Sequence, residues 1–214
     1  MKKKLLAGLA IGLFVVGIAG VASAAIITNE NFENGAAGWN NNETTNGASP
    51  FTTFLGRHGG TGGNQGLFKD FTLSGNQTEV TINFDFYEID SWDSECFNIY
   101  VNNTLIRQDE YHFNRKDAPV DTVDLFSGGQ KPVNYGFAVW ADQGIGYSFT
   151  FATSDTSLRL GFGATINQAI GDESWGVDNI MISDNATVPL PGAVWLLGSG
   201  VAGLAGIRSR RKKK

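Results

Sequence analysis

The densest group of side chains that could do chemistry is a run of five carboxylates within 11 residues, from Asp85 to Glu95. The alternating pattern on either side predicts a hairpin loop over Asp90 to Glu95. There, Asp90, Asp93 and Glu95, with serine hydroxyls and backbone carbonyls, could supply the hard oxygen ligands that Ca²⁺ prefers. The spacing is not that of an EF-hand, which needs a glycine at its sharp turn and a closing glutamate. The alternative is a solvated acidic loop in which Trp92 covers the end of the domain.

A second acidic group lies later in the chain, at Asp172-Glu173 and Asp178. Glu33 lies near the other end of the acidic region, so it becomes a neighbour of Asp178 if the two ends meet. A structural ion or a capping hydrogen bond would then explain both carboxylates. A structural Ca²⁺ ion is the only cofactor that the sequence predicts.

Aromatic side chains are the other candidate binding surface, because their faces can pack against the apolar C–H surface of sugar rings. The candidates are Tyr87, Trp92, Tyr100 and Trp140. Strand alternation places Tyr87, Tyr100 and Trp140 opposite the apolar face, where we expect them to be exposed. The alternative is ordinary packing, which we expect for Trp39 and Trp175.

Enzymatic motifs are absent from the sequence. The two histidines, His58 and His112, do not form an H-E-x-x-H motif, and there is no G-x-S-x-G element. With 21 carboxylates in the chain, a pair suited to glycoside hydrolysis could be drawn almost anywhere and carries no information. We therefore predict that the protein is not an enzyme, and a hydrolase is only the third of our functional hypotheses.

Period-two alternation dominates the middle of the chain. It is clearest at Val80, Ile82, Phe84 and Phe86, and it recurs in later runs that include Tyr135 to Val139. With turn signals at short spacing, it predicts an all-β antiparallel sandwich of about eight or nine strands, which fits a jelly roll. Asn102-Asn103 predicts a hairpin turn. For the stretch from Thr44 to Gly66 we predict a loop, and for its glycine cluster we predict a flexible connection.

The two ends of the predicted sandwich carry short sequence signatures. The opening reads Asn-Phe-Glu-Asn from Asn31, followed by Gly38-Trp39, and the closing run reads Trp-Gly-Val-Asp-Asn-Ile from Trp175. Both resemble the ends of jelly-roll modules found in carbohydrate-binding and adhesion proteins. That resemblance implies a jelly roll whose first and last strands pair or lie close together.

The N-terminus has the three parts of a secretory signal peptide. Lys2 to Lys4 precede an apolar run from Leu5 to Val21, and Ala22-Ser23-Ala24 supplies a small-residue cleavage site. We expect cleavage after Ala24 and an N-terminal helix over this segment. The alternative is an uncleaved N-terminal anchor.

The C-terminal tail has a breaker, an apolar segment and a basic stop. The breaker is Val188-Pro189-Leu190-Pro191. The apolar run from Ala193 to Ile207 has Trp195 near its start, at the position of an interfacial anchor. The stop includes Arg208, Arg210 and Arg211. This order resembles a PEP-CTERM sorting signal, although Leu190 stands where the family name implies glutamate. The resemblance implies an anchor helix and processing by an exosortase-type enzyme; the alternative is an anchor that is never cut.

The charge of the region between the two targeting segments is strongly negative. It holds seven of the 16 basic residues and all 21 acidic residues, a net charge of −14. Such a surface repels nucleic acid and other polyanions, and it suits divalent cations or neutral and cationic partners. Cys96 is the single cysteine, so no intramolecular disulfide can form.

Together these features predict three parts: a signal peptide over residues 1–24, an exported β-sandwich over 25–184 and a sorting and anchor segment over 185–214. We expect a non-enzymatic surface or extracellular-matrix protein of a Gram-negative-type bacterium, associated with exopolysaccharide or biofilm. Its expected partners are an exosortase-type enzyme, the inner membrane before processing and exopolysaccharide, but no nucleic acid. The alternative is a calcium-assisted carbohydrate-binding module with a specific glycan ligand.

Overall fold

The computed structural model describes residues 25–47, 49–113, 119–126, 134–137 and 140–185. All of these fall in one compact unit, Ser23–Thr187. The predicted signal segment and the predicted sorting and anchor segment lie outside the described residues. None of the described segments is a helix long and apolar enough to cross a membrane.

The described residues form eleven β-strands. They are β1 (Ala25–Glu30), β2 (Thr44–Asn46), β3 (Thr53–His58), β4 (Leu67–Thr72), β5 (Glu79–Asp90), β6 (Asp93–Val101), β7 (Thr104–His112), β8 (Thr122–Asp124), β9 (Gln143–Ala152), β10 (Ser157–Ala164) and β11 (Glu173–Asp184).

The strands form two antiparallel sheets. Sheet A has the order β2-β3-β11-β5-β9-β8, with β1 also paired to β11, and sheet B has the order β4-β10-β6-β7. Three strands, β1, β2 and β8, are additions to the main sandwich. When the remaining eight are numbered 1 to 8 along the chain, their order is 1-8-3-6 in sheet A and 2-7-4-5 in sheet B. That order defines a jelly roll. The predicted all-β antiparallel sandwich is therefore confirmed, and so is the pairing of the first and last strands, in which Ala25 lies opposite Asp184.

The core forms where the alternating apolar residues of both sheets meet. Phe84 and Phe86 of β5 point inward, and Phe86 stacks on Phe97 of β6 with ring centroids 3.9 Å apart. Phe162 of β10 packs against Phe84 at 4.9 Å. Each such side chain contributes roughly 1.5–3 kcal/mol by leaving water, so these contacts hold the two sheets together.

A second aromatic cluster covers part of the opposite face of sheet A. Tyr87 and Ile89, which alternate with the core residues of β5, are buried there with Phe51 and Phe54, and the rings of Phe126, Tyr135 and Phe137 pack over them. This cluster buries a sheet face that the sequence pattern predicted to be exposed. The segment from Tyr135 to Phe137 contributes rings without forming the strand that its alternation predicted; Val139 lies outside the described residues.

Two buried aspartates, Asp90 and Asp142, bind the backbone at Tyr135 and Trp140. The Asp142 carboxylate accepts the backbone N–H groups of Asp90 (3.1 Å) and Tyr135 (2.8 Å), while Asp90 accepts that of Trp140 at 2.8 Å. Burial raises the pKa of Asp142 to about 6. Its backbone hydrogen bonds lower the pKa but do not offset the loss of solvation.

Two predicted loops have a different structure. The stretch from Thr44 to Gly66 contains β2 and β3, whose sequences are too short and too polar to show a clear period. The acidic segment is not a hairpin loop, because β5 ends at Asp90 in sheet A and β6 begins at Asp93 in sheet B. Its short connection passes between the sheets. The predicted turn at Asn102-Asn103 is confirmed: both residues have positive φ, and Val101 pairs with Thr104.

The glycine-rich loop after β3 runs from Gly59 to Asn64. We predicted a flexible connection here, but the loop packs on the outer face of sheet B. The backbone oxygen of Gly63 accepts hydrogen bonds from Asn98 and Tyr100 of β6. A Cβ atom at Gly163 would overlap the backbone oxygen of Asn64, so the loop approaches the sheet where β10 carries glycine.

Candidate functional site

A polar pocket of about 250 Å³ lies where β3 ends beside β11. The pocket is lined by Asn41, Glu43, Arg57, His58, Gly59, Gly60, Thr61, Gly66, Leu67, Ile170 and Trp175. Long-range strand pairing builds it, because Trp175 of β11 lies directly opposite His58 of β3. The pocket thus combines amide, carboxylate and imidazole groups with the apolar surfaces of Leu67 and Ile170.

His58 is the buried residue among the polar side chains of the pocket. The residue is only 7% exposed, and its ring lies 5.0 Å from that of Trp175. Burial lowers the pKa of His58 to about 4, so the ring is neutral near pH 7. Its Nδ1 lies 3.4 Å from the amide nitrogen of Asn41. Since an amide nitrogen only donates, Nδ1 accepts, and the ring proton then lies on Nε2.

This arrangement leaves a buried donor unsatisfied. Among the described residues, no hydrogen-bond partner lies within reach of His58 Nε2. An unsatisfied buried donor costs about 1–3 kcal/mol, so such a group in a native fold needs an explanation. His58 lines the adjoining pocket, and a ligand oxygen there would provide one after a small shift of the ring that opens the buried Nε2 to the pocket.

The two charged residues of the pocket have different surroundings. The Arg57 guanidinium donates through Nε to Ser174 Oγ and through Nη2 to the Ile170 oxygen, both at 2.6 Å, and it lies over the Phe137 ring at 5.6 Å. Glu43 is exposed and uses its backbone, with its N–H bonded to Asn41 Oδ1. In the part of the chain that the structure describes, no hydrogen bond or ion pair engages the Glu43 carboxylate.

The predicted calcium ligands are only partly brought together. Asp93 and Glu95 form a group with Glu173 of β11 in which one oxygen from each lies within 4.8 Å of the others. Asp90 does not belong to this group, and its carboxylate instead accepts the Trp140 backbone N–H. Glu173 was missed as a partner because it is remote in sequence, and only the pairing of β11 with β5 brings it there.

The internal bonds of this carboxylate group are already extensive. Glu95 accepts the Asp93 N–H at 2.5 Å, and Glu173 accepts the backbone N–H groups of Asn167 and Gln168. Burial raises the pKa of Glu95, and the nearby Glu173 charge raises it further. Three oxygens at this spacing suit a hard cation, and calcium here stays a prediction.

The second predicted pair lies on either side of one short segment. Glu33 accepts the backbone N–H of Thr53 at 2.9 Å, and Asp178 accepts the hydroxyls of Thr52 (3.0 Å) and Tyr87 (3.1 Å). Burial raises the pKa of Asp178 to about 6. Both carboxylates therefore serve as hydrogen-bond acceptors that tie the Thr52-Thr53 segment to the sandwich.

The predicted aromatic surface divides into buried and accessible residues. Tyr87 and Trp92 are buried, so the expected exposure of Tyr87 is wrong and neither ring presents a face at the surface. Tyr87 belongs to the second cluster, and Trp92 fills the core and donates to the Ser174 oxygen at 2.9 Å. Tyr100 is half-buried on sheet B, while Trp140 is 47% exposed and packs beside Phe113 at 4.8 Å.

Several predicted residues have no described environment. The sorting motif Val188, Pro189, Leu190 and Pro191 lies outside the described residues, as do Trp195, Arg208, Arg210 and Arg211. The expectation that Trp39 and Trp175 pack inside is confirmed, since both belong to the core. The pocket itself was missed, because Asn41, Glu43 and Arg57 follow no period and meet only through tertiary contacts.

No protein-family model matches this chain, and no curated protein matches it. Among solved structures, a family 35 carbohydrate-binding module from Clostridium thermocellum is 12% identical. The match covers 75% of this chain and 98% of that one, with a TM-score of 0.39.

Two larger proteins are similar over part of their length. Latent PorU from Porphyromonas gingivalis is 13% identical, over 77% of this chain and 14% of that one, with a TM-score of 0.41. The CBM22-1–GH10 modules of xylanase 10B from Clostridium thermocellum, solved with xylohexaose, are 14% identical over 78% of this chain and 30% of that one, with a TM-score of 0.37. The chain thus spans less than a third of either.

Proposed function

We propose that the chain is an exported, non-catalytic protein whose jelly roll binds a glycan in the pocket beside His58. The observation that carries this proposal is the buried Nε2 donor of His58, which has no partner among the described residues. A hydroxyl or ring oxygen of a sugar is an acceptor that would satisfy it.

The rest of the pocket supports a saccharide ligand. Asn41 and Glu43 can exchange hydrogen bonds with hydroxyl groups, and Leu67 and Ile170 offer apolar surface to the C–H face of a sugar ring. Small-ligand sites likewise combine apolar surface with a few placed polar groups. A volume of about 250 Å³ suits one sugar unit of a longer chain better than a large cofactor.

A glycan array with the purified full-length protein tests the proposal. We expect binding to a defined glycan that the His58→Phe variant weakens by about fivefold or more, since an unpaired polar group on the ligand costs about 1–3 kcal/mol. The matched control is Trp140→Ala, which removes an exposed ring outside the pocket. An array without any binding contradicts the proposal, and loss on Trp140→Ala alone would move the site to the Trp140 surface.

We further propose that the protein is exported by its N-terminal segment and then sorted through its C-terminal tail to the cell surface or extracellular matrix. The order of breaker, apolar segment and basic stop supports this. An exosortase-type enzyme would process the tail, and exopolysaccharide would be the surrounding glycan. Mass analysis of the mature protein tests this step: we expect loss of the basic stop, and an intact Lys214 contradicts processing.

A further inference from the structure

We infer that the glycan bound in the His58 pocket carries a free amine, as glucosamine units do, and that Glu43 binds the ammonium group. This inference rests on the proposed function and names the ligand class of the same site. It depends on which charges in the pocket are already engaged and which one is left for a ligand.

The Arg57 guanidinium of the pocket is held in place by neutral groups of the protein. Arg57 donates two hydrogen bonds to Ser174 and Ile170 and lies over the Phe137 ring. A guanidinium that is held in this way has less capacity to bind a carboxylate of a ligand in its preferred two-bond geometry. The guanidinium of Arg57 is therefore poorly placed to hold the carboxylate of an acidic sugar by two parallel hydrogen bonds.

The negative charge of the pocket is free. The Glu43 carboxylate is exposed and has no ion pair or hydrogen bond among the described residues, while its backbone is fixed by bonds to Asn41 and Gly56. The backbone that carries this carboxylate is thus set before a ligand arrives, while the side chain stays exposed. A carboxylate at the wall of a pocket can form a charge-assisted hydrogen bond with an ammonium group.

The net negative charge of the exported region also favours a cationic ligand. The region between the two targeting segments carries seven basic and 21 acidic residues. Its field attracts cationic polymers and repels anionic ones over about one Debye length. The neutral His58 adds no opposing charge near pH 7, so it can donate to a sugar oxygen while Glu43 binds the amine.

Calorimetric titration of the full-length protein provides the test, with a glucosamine oligosaccharide and its fully N-acetylated counterpart of equal length. Acetylation removes the positive charge and leaves the sugar backbone unchanged. We expect the amine form to bind about tenfold more tightly at low ionic strength, and this preference to shrink as salt is added.

The variants locate the effect. Glu43→Gln should abolish the preference for the amine form, and Asp121→Asn, which removes the same charge from an exposed residue that does not line the pocket, should keep it. Both variants should unfold at the wild-type midpoint. Equal affinity for the two oligosaccharides, or a preference that survives in Glu43→Gln, overturns the inference.

The outcome separates the inference from the proposed function. Binding of neutral or acidic glycans on the array, with no preference for the amine form, overturns the ligand class and leaves the glycan-binding module in place. Absence of binding to every glycan tested overturns both.

Discussion

Replacing His58 should change how the stability of the protein depends on pH. Burial lowers the pKa of His58 to about 4 in the folded protein, from 6.5 in a solvated reference. Because the unfolded chain takes up this proton more readily than the folded one, the wild-type protein loses stability as the pH falls below about 6.5. His58→Gln removes this contribution.

The size of the effect follows from the two pKa values. A pH of about 5 lies about 1.5 pH units below the pKa of the unfolded imidazole, which is therefore protonated. It lies above the pKa of the folded imidazole, which is still largely neutral. At about 1.4 kcal/mol per unit, the wild-type protein should lose about 2 kcal/mol between about pH 8 and pH 5 from this residue alone. The residue is almost fully buried, so solvent screening reduces this value little.

Other groups titrate in the same interval with the opposite sign. The pKa values of Asp142 and Asp178 are raised to about 6. The folded protein therefore binds a proton at each of these carboxylates more readily than the unfolded chain does. Its stability rises as the pH falls from about 6 towards 3.8, the pKa of a solvated aspartate. These contributions can hide the histidine in the wild-type curve. They are common to both proteins and cancel when the two are compared.

Urea unfolding followed by tryptophan fluorescence, at about pH 8 and pH 5, measures the difference. The stability lost by the wild type should exceed that lost by His58→Gln by about 2 kcal/mol. His58→Phe serves as a second variant that keeps an aromatic ring in the same space. If both variants lose as much stability as the wild type, His58 is not a buried neutral histidine, and the assignment of its Nε2 as a donor fails with it.

Three further outcomes are expected. Trp92→Ala should destabilise the protein by about 3–5 kcal/mol by emptying a core site, whereas Trp140→Ala should cost well under that in the same urea assay. Gly163→Ala should cost about 1–3 kcal/mol, since its methyl group displaces the glycine-rich loop; Gly171→Ala, with open space around it, is the control and should be near neutral. Calcium should raise the thermal midpoint and EDTA should reverse the rise, with no response in Glu173→Gln; an unchanged wild-type midpoint contradicts the calcium site.

The sequence determined the fold class because strand alternation is a local property. Val80, Ile82, Phe84 and Phe86 bury one face of β5 whatever their partners are, and the asparagines at the β6–β7 turn adopt the positive φ that a tight hairpin needs. The same local logic placed Trp39 and Trp175 inside. It failed for Tyr87, because a residue opposite the core face is exposed only if nothing covers that face.

Tertiary structure decided the sites, because each depends on which distant strands pair. Glu173 joins Asp93 and Glu95 because β11 lies beside β5, and His58 meets Trp175 because β11 also lies beside β3. The sequence shows which residues could bind a cation or a sugar. Strand order within the two sheets selects which of them lie together, and no local pattern encodes that order.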